Sequence, residues 1–211
     1  MRPPAFVTRC GPPEVCCVLF CGVADPARRR ATYEDVLAAP PNVVAQVIDG
    51  VLVTLPRPAA PHARAASTLG MDLGGPFDRG RGGPGGWHIL DEPELHLAAD
   101  IVVPDLAGWR KERVPNLPRA AFFTVAPDWV CEVLSPSTAG IDRGGKLAID
   151  ARERVPYVWF ADPEARTLEV LTLDGPTYRV TAVHHADALV RAKPFEVVEL
   201  ELGALWLPPV P

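Results

Sequence analysis

The chain has 211 residues, enough for one domain with a sizeable core, and its 48% hydrophobic and 22% charged residues argue against a membrane protein. Its formal net charge of −5 argues against strong binding of nucleic acid through clustered lysine and arginine alone. A metal site would weaken that second argument, because carboxylates counted here as negative are neutralised when a cation binds them.

The first thirty residues do not resemble part of a folded domain. We predict a disordered leader at residues 1–30, a single domain at residues 31–207 and a short tail at residues 208–211. A secretory signal is an alternative for the leader, because arginines precede an apolar run at residues 15–23. The run is short, however, and an acidic residue precedes it, which disfavours that alternative.

The cysteines favour a reducing compartment. Four of the five lie in the first 21 residues and the fifth is Cys131, and no two of them form a CxxC pair. This spacing fits no usual zinc pattern, so a small metal or redox site is only an alternative. We therefore predict unpaired thiols and a cytoplasmic location.

The domain is predicted to begin with a short helix, a hairpin and a longer helix. Thr32 is a candidate N-cap for a helix that ends at Leu37, before two prolines. Residues 43–48 and 51–55 are apolar and flank an Asp-Gly dipeptide, which predicts two strands joined by a tight turn. An apolar stripe with a spacing of four residues predicts a helix over residues 61–73.

A glycine-rich segment follows that helix. Residues 74–86 contain seven glycines together with Arg79 and Arg81, which predicts a mobile surface loop. A phosphate-binding loop is an alternative, although no Gly-Lys-Ser/Thr follows, and the arginines could contact a nucleic-acid backbone. His62, near the start of the preceding helix, is predicted to be a surface histidine, with contact to a substrate as the alternative.

Two strands are then predicted, over residues 87–90 and 95–103, and the second leads through a proline to Asp105. Glu92 and Glu94 lie between them and are candidate accessory ligands of a metal, with solvated acids as the alternative. The segment that follows, predicted as a loop, is the most basic of the chain. It is a candidate for phosphate contact or a solvated loop, and its basic residues include Arg110, Lys111 and Arg113.

The next strand, over residues 129–134, carries an unusual carboxylate. Because side chains alternate along a strand, Glu132 shares a face with Val130 and Leu134, whereas Cys131 faces the opposite side. Carboxylates rarely point inward from an apolar strand unless something binds them. Hard oxygen ligands such as Asp105 and Glu132 suit Mg²⁺ or Mn²⁺, so we predict a metal site at these two residues.

A lysine follows this strand. Asp142 is predicted to be the N-cap of a helix whose first turn carries Lys146, although Gly144 and Gly145 weaken that turn. The ammonium of Lys146 could orient a water nucleophile or stabilise charge that develops on a phosphate. Further strands are predicted over residues 157–161, 167–173, 178–183 and 195–200.

At this point the ordered motifs resemble a known family, the Uma-two branch of the PD-(D/E)XK restriction-endonuclease-like proteins. The matching segments lie within residues 31–206, at 87–95, 103–110, 127–138, 142–146 and 158–163. The resemblance implies an α+β fold with a mixed sheet flanked by helices and an antiparallel C-terminal rim. It also implies a metal-dependent endonuclease with Asp105, Glu132 and Lys146 as catalytic residues. Lys146 would replace the lysine that the wider superfamily carries at the position of Leu134.

The resemblance also implies the partners and an alternative function. It predicts nucleic acid as the substrate, with DNA favoured and RNA as the alternative, and translation that starts at Val23. Double-strand cutting by a single active site would suggest a homodimer, and the composition predicts no membrane. Relatives usually carry glutamate at the positions of Gln46 and, often, Val51. If Gln46 contributes to the metal site, an amide supplies oxygen without charge and metal affinity falls. The alternative is therefore a catalytically weakened nuclease-fold module that binds or regulates nucleic acid.

Overall fold

The computed structural model of the chain describes residues 29–208. Most of the predicted leader, with Val23 and the four N-terminal cysteines, lies outside this range, as do the last three residues. The first six strands are β1 (Val43–Ile48), β2 (Val51–Pro56), β3 (Trp87–Asp91), β4 (Leu95–Leu97), β5 (Asp100–Val102) and β6 (Leu106–Arg110). The others are β7 (Trp129–Val133), β8 (Tyr157–Asp162), β9 (Thr167–Asp174), β10 (Thr177–His185), β11 (Leu189–Val190) and β12 (Leu200–Glu201).

The helices are short apart from the second. The α-helices are α1 (Tyr33–Leu37), α2 (Ala60–Leu73), α3 (Ala139–Ile141) and α4 (Leu147–Arg152). Two π-helical turns extend them: Gly74–Asp78 follows α2, and Asp142–Lys146 joins α3 to α4. A 3₁₀ turn, Leu202–Leu205, lies near the C-terminus. No helix of residues 29–208 is both long enough and apolar enough to cross a bilayer.

Two sheets organise the domain. The larger has the order β10-β9-β8-β7-β6-β3; β7 and β8 are parallel, and all other neighbours are antiparallel. The parallel pair is connected by the helical segment 139–152, the kind of crossover that parallel strands require. An antiparallel sheet has the order β2-β1-β5-β4, and β11 pairs with β12. This confirms the predicted α+β fold, its mixed sheet with flanking helices and its C-terminal rim of β8, β9 and β10.

Alternation along β7 divides the core between the two faces of the larger sheet. Trp129 and Cys131 pack on one face with α2 and with Phe195, which lies between several aromatic rings. Val130 and Leu134 pack on the other face with residues of β4, β5 and α4. The predicted burial of Cys131 is confirmed, and burial raises the pKa of its thiol well above the ordinary value.

The prediction of a single strand over residues 95–103 is wrong. The segment is instead the hairpin of β4 and β5, which reverses at Ala98, a non-glycine residue with a φ of 55°. Pro104 ends this pairing as predicted, but the chain then forms β6 where a loop was predicted. Leu106 and Trp109 of β6 are fully buried, and this strand pairs with both β3 and β7. Asp105 therefore lies between two strands.

Two other predictions are corrected. The prediction of a strand over residues 195–200 is wrong. Phe195 is buried in the aromatic core, and only Leu200 of this range pairs with β11, as part of β12. The glycine-rich segment is not entirely a surface loop either. Its first five residues continue α2 as a π-helical turn, since Phe77 of that turn is buried in the core.

Asp142 is not the N-cap that the sequence predicted. The helical segment begins earlier, at Ala139, and Asp142 lies inside it at the start of the second π-helical turn. The two glycines of that turn differ in their surroundings. A Cβ added at Gly145 would lie 2.8 Å from Cγ2 of Ile48, whereas one added at Gly144 would have no atom within 4 Å. Gly145 thus lets the helix that carries Lys146 approach β1 closely.

We expect Gly145→Ala to destabilise the domain by about 1–3 kcal/mol, because the branched Ile48 side chain cannot move aside easily. The matched control is Gly144→Ala, which should stabilise the domain by about 0.5–1 kcal/mol through the lower backbone entropy of alanine. Urea unfolding of both variants measures the two effects. An equal effect of the two substitutions would contradict the close approach.

Candidate functional site

A cavity of about 280 Å³ lies between the β1–β2 hairpin, the start of α2 and the second π-helical turn. It brings together five residues that the sequence singled out: Gln46, Glu92, Asp105, Glu132 and Lys146. The other residues on its wall include Arg57, His62, Asp142 and the hydroxyl residues Ser135, Ser137 and Thr138. Its walls thus combine acids, bases and neutral polar groups.

Lys146 is at the centre of the buried charges. Its Nζ lies 2.7 Å from Oε1 of Glu132 and 3.2 Å from Oδ1 of Asp142, and it donates to the carbonyl oxygen of Val103 at 3.2 Å. An ammonium group has three N–H donors, so these three acceptors use all of them. Lys146 is only 4% exposed, which is unusual for a lysine unless it is paired.

The cluster carries more negative than positive charge. Asp105, Glu132 and Asp142 contribute three carboxylates, and Lys146 contributes one ammonium. Burial raises the pKa of Glu132 well above its ordinary value, and the neighbouring carboxylates raise it further against the opposing effect of Lys146. Burial alone would lower the pKa of Lys146, but the three carboxylates raise it overall. Burial thus opposes ionisation of Glu132, whereas the carboxylates favour the charged form of Lys146.

Asp105 is held in place by backbone and by a histidine. Its Oδ2 accepts a hydrogen bond of 2.7 Å from the N–H of Val133, and its own N–H lies 3.4 Å from Oε2 of Glu132. Nε2 of His62 lies 3.2 Å from the same Oδ2. Burial lowers the pKa of His62, but the hydrogen bond and negative charge of Asp105 outweigh it and raise the pKa overall.

Gln46 is fully buried in the wall of the cavity. Its Oε1 accepts a hydrogen bond of 2.8 Å from the N–H of Val103, the residue whose carbonyl oxygen binds Lys146. Nε2 of Gln46 has no partner among the described residues. Val51, the other position where relatives often carry glutamate, pairs with Ile48 at the hairpin turn and is absent from the cavity wall.

The structure separates the two candidate accessory glutamates. Glu92 lines the cavity, and its Oε2 lies 3.8 Å from Arg57. Glu94 is not brought to the cavity, because it lies beside β4 and its Oε1 contacts Nε2 of His96 at 2.7 Å. The hairpin of β4 and β5, which the sequence did not predict, places Leu95 opposite Val102, but the Glu94 side chain contacts His96 and is absent from the cavity wall.

The basic segment also lies away from the cavity wall. Arg110 stacks over the ring of Trp87, with its Cζ 4.6 Å from the ring centroid. Lys111 binds the side chain and the carbonyl oxygen of Asp78, and Arg113 binds Asp128. These three side chains are therefore engaged with neighbouring residues of the domain.

Three charged or titratable cavity residues, Arg57, His62 and Asp142, were not predicted as site residues. The sequence predicts His62 as a surface histidine and Asp142 as a helix cap, and it gives no signal for Arg57. The signal for Asp142 was present, since Asp142 and Lys146 are four residues apart and lie on one face of a helix. For His62, only the tertiary contact with Asp105 distinguishes it from a surface residue.

The donor set suits a hard divalent cation. Within residues 29–208, no three histidine, cysteine or acidic residues form a ready metal cage. Mg²⁺ rarely needs one, because it keeps several waters and binds through one or two carboxylates together with substrate phosphates. Asp105 and Glu132 supply two such carboxylates, and the surplus negative charge of the cluster favours a cation beside them. The residues therefore fit Mg²⁺ or Mn²⁺.

Comparisons with known proteins identify the family and a similar fold. The family model Uma2, described as "putative restriction endonuclease", matches residues 30–203. A crystal structure described as "a putative nuclease belonging to DUF820" from Anabaena variabilis ATCC 29413 is similar, with a TM-score of 0.68 and 22% identity. The match covers 83% of this chain and 97% of that one, and at this identity it shows the fold alone. No curated protein matches the chain.

Proposed function

Since the chain belongs to the Uma2 family of restriction-endonuclease-like proteins, we propose that it is a metal-dependent endonuclease that hydrolyses phosphodiester bonds in DNA. The proposed catalytic residues are Asp105, Glu132 and Lys146, of which the two acids hold Mg²⁺ or Mn²⁺. A single active site per chain cuts one strand, so double-strand cutting would require a homodimer.

The surplus of buried negative charge is the observation that carries this proposal. Besides the pair of Arg57 and Glu92, the cavity wall holds three carboxylates, a histidine and one lysine, and burial raises the pKa of both Glu132 and Asp142. Buried charges are costly unless they are paired or bind a metal. A divalent cation beside Asp105 and Glu132 would balance the cluster and would also provide a binding point for a phosphate.

The contacts of Lys146 favour one of its two predicted roles. Lys146 donates to Asp142 and Val103 and forms an ion pair with Glu132, so three protein acceptors already compete with a water nucleophile for its protons. We assign Lys146 to holding the Glu132 carboxylate in position and to supplying positive charge close to the phosphate.

Asp105 has a defined orientation in the proposed mechanism. The N–H of Val133 fixes its Oδ2, and His62 approaches the same atom from α2. A bound cation would supply Lewis acidity toward the phosphate and would lower the pKa of a water molecule. The arrangement of the side chains predicts direct attack by water, with no covalent intermediate on the protein.

The proposal is tested with the full chain on supercoiled plasmid, single-stranded DNA and RNA. We expect cleavage of DNA with Mg²⁺ or Mn²⁺ and none after chelation, because the carboxylates alone cannot activate water. Calorimetry with Mn²⁺ should show specific uptake. Absence of both cation uptake and metal-dependent cleavage of all three substrates would contradict the proposal.

A second candidate function is a nuclease-fold module with weakened chemistry that binds or regulates nucleic acid. It is favoured by Gln46, whose amide oxygen is occupied by Val103 and so adds neither charge nor a ligand to the metal site. Mn²⁺ calorimetry separates the two functions. The enzyme should take up the cation, whereas the weakened module should bind nucleic acid at low salt without specific uptake.

A further inference from the structure

The hydrogen bond from Val103 determines the orientation of the buried Gln46 side-chain amide. The N–H of Val103 is a donor, so the Gln46 atom that it contacts at 2.8 Å must be the amide oxygen. The other atom on the amide is therefore the NH₂ group. That group is buried, and it has no acceptor among the described residues.

An NH₂ group cannot bind a metal ion, because its nitrogen has no available lone pair. A buried donor without an acceptor is also unfavourable, so an acceptor must come from a molecule that enters the cavity. The carboxylate oxygens nearest to Lys146 already accept from that side chain, and Asp105 accepts from Val133. What Gln46 can still bind is an oxygen of an incoming ligand.

The peptide group of Val103 also links Gln46 to the charged cluster. The Val103 peptide donates its N–H to Gln46 and accepts a proton of Lys146 with its carbonyl oxygen. Both side chains are therefore fixed by one peptide group. An anionic oxygen that approaches a cation beside Asp105 and Glu132 would enter a cavity whose wall includes Gln46.

We propose that Gln46 is a substrate-binding residue that donates a hydrogen bond from Nε2 to a non-bridging oxygen of a phosphodiester. The inference rests on the proposed nuclease function and assigns Gln46 a role in it other than that of a metal ligand. A glutamate at this position could accept the Val103 hydrogen bond equally well but could not donate to phosphate.

The side-chain amide of Gln46 provides a direct test by NMR. Its ¹⁵N-labelled NH₂ signals can be assigned by their loss in Gln46→Glu, a variant that keeps the acceptor for Val103. Dimethyl phosphate, the smallest phosphodiester, is titrated in the presence of Mg²⁺. We expect a saturable shift of the Gln46 signals, and a dissociation constant roughly 10- to 100-fold weaker in Gln46→Glu, as expected for a lost hydrogen bond to an anion.

A second measurement separates phosphate binding from metal binding. Mn²⁺ is titrated into the wild type and into Gln46→Met, which has neither amide atom, and thermal unfolding checks that the variant is folded. We expect Mn²⁺ affinity to change less than about threefold, because Gln46 is not a ligand. A loss of tenfold or more would overturn the inference and would identify the amide as a metal ligand.

The two proposals fail in distinguishable ways. If the wild type binds Mn²⁺ and dimethyl phosphate while the Gln46 signals stay unchanged, the inference is overturned and the nuclease function stands. If the wild type and Gln46→Glu bind dimethyl phosphate with equal affinity, the inference is also overturned and the nuclease function stands. Water would then be the acceptor of the Nε2 hydrogen bond. If the chain binds neither probe, both proposals are overturned.

Discussion

Lys146→Met should lower the free energy of unfolding by about 3–5 kcal/mol at pH 8, the usual cost of removing one partner from a buried ion pair. The lysine lies against Glu132 and Asp142 and is almost inaccessible to solvent, so no water can replace its charge. The sequence predicts only that Lys146 lies in the first turn of a helix and acts on water or phosphate. Its burial instead predicts a loss of both stability and activity, measurable by urea unfolding and by DNA cleavage.

The stability lost in Lys146→Met should increase with pH. The pKa of Glu132 is already raised by burial, and removal of the ammonium raises it further. An acid whose pKa is higher in the folded than in the unfolded protein favours folding at low pH, and this contribution disappears as the pH rises through the folded pKa. The destabilisation should therefore be smaller at pH 5 than at pH 8.

Two matched variants sharpen the measurement. The double variant Lys146→Met, Glu132→Gln removes both charges and should recover most of the stability that Lys146→Met loses. Arg179→Met breaks an exposed ion pair between Arg179 of β10 and Asp174 of β9 and should change stability by less than about 1 kcal/mol. A Lys146→Met protein as stable as Arg179→Met would contradict the buried cluster.

The part of the site on β7 could be predicted from sequence because alternation along a strand is a simple rule. Glu132 lies on the face of Val130 and Leu134, and Cys131 packs on the opposite face, as the period of two requires. The same rule does not apply to Asp142. An aspartate before a helical segment is a common N-cap, and only the buried contact with Lys146 reveals its actual position inside the helix.

The hairpin of β4 and β5 could not be predicted because its turn lacks the usual signals. Ala98 adopts a positive φ that glycine or asparagine normally supplies, so the apolar segment has the pattern of one continuous strand. A single extended strand would have held Glu94 and Asp105 roughly 30 Å apart. The hairpin instead pairs Leu95 with Val102, and the Glu94 side chain contacts His96 rather than the cavity.

Asp105→Asn should abolish specific Mn²⁺ uptake and reduce metal-dependent cleavage by about 10³-fold or more, equivalent to several kcal/mol of transition-state stabilisation. The amide keeps the shape of the side chain and can still accept the Val133 N–H through its oxygen. We therefore expect the free energy of unfolding to change by less than about 1 kcal/mol. Calorimetry, plasmid cleavage and urea unfolding measure the three effects.

The control for Asp105→Asn is Glu94→Gln, which also replaces a carboxylate by its amide in the same part of the sequence. Glu94 is absent from the cavity wall, so cation uptake and cleavage should remain within about twofold of the wild type. The pair distinguishes a local metal ligand from a general effect of negative charge on cation binding. If Glu94→Gln lost as much uptake and cleavage as Asp105→Asn, the cation would be bound elsewhere, and the roles assigned to Asp105 and Glu132 would be wrong.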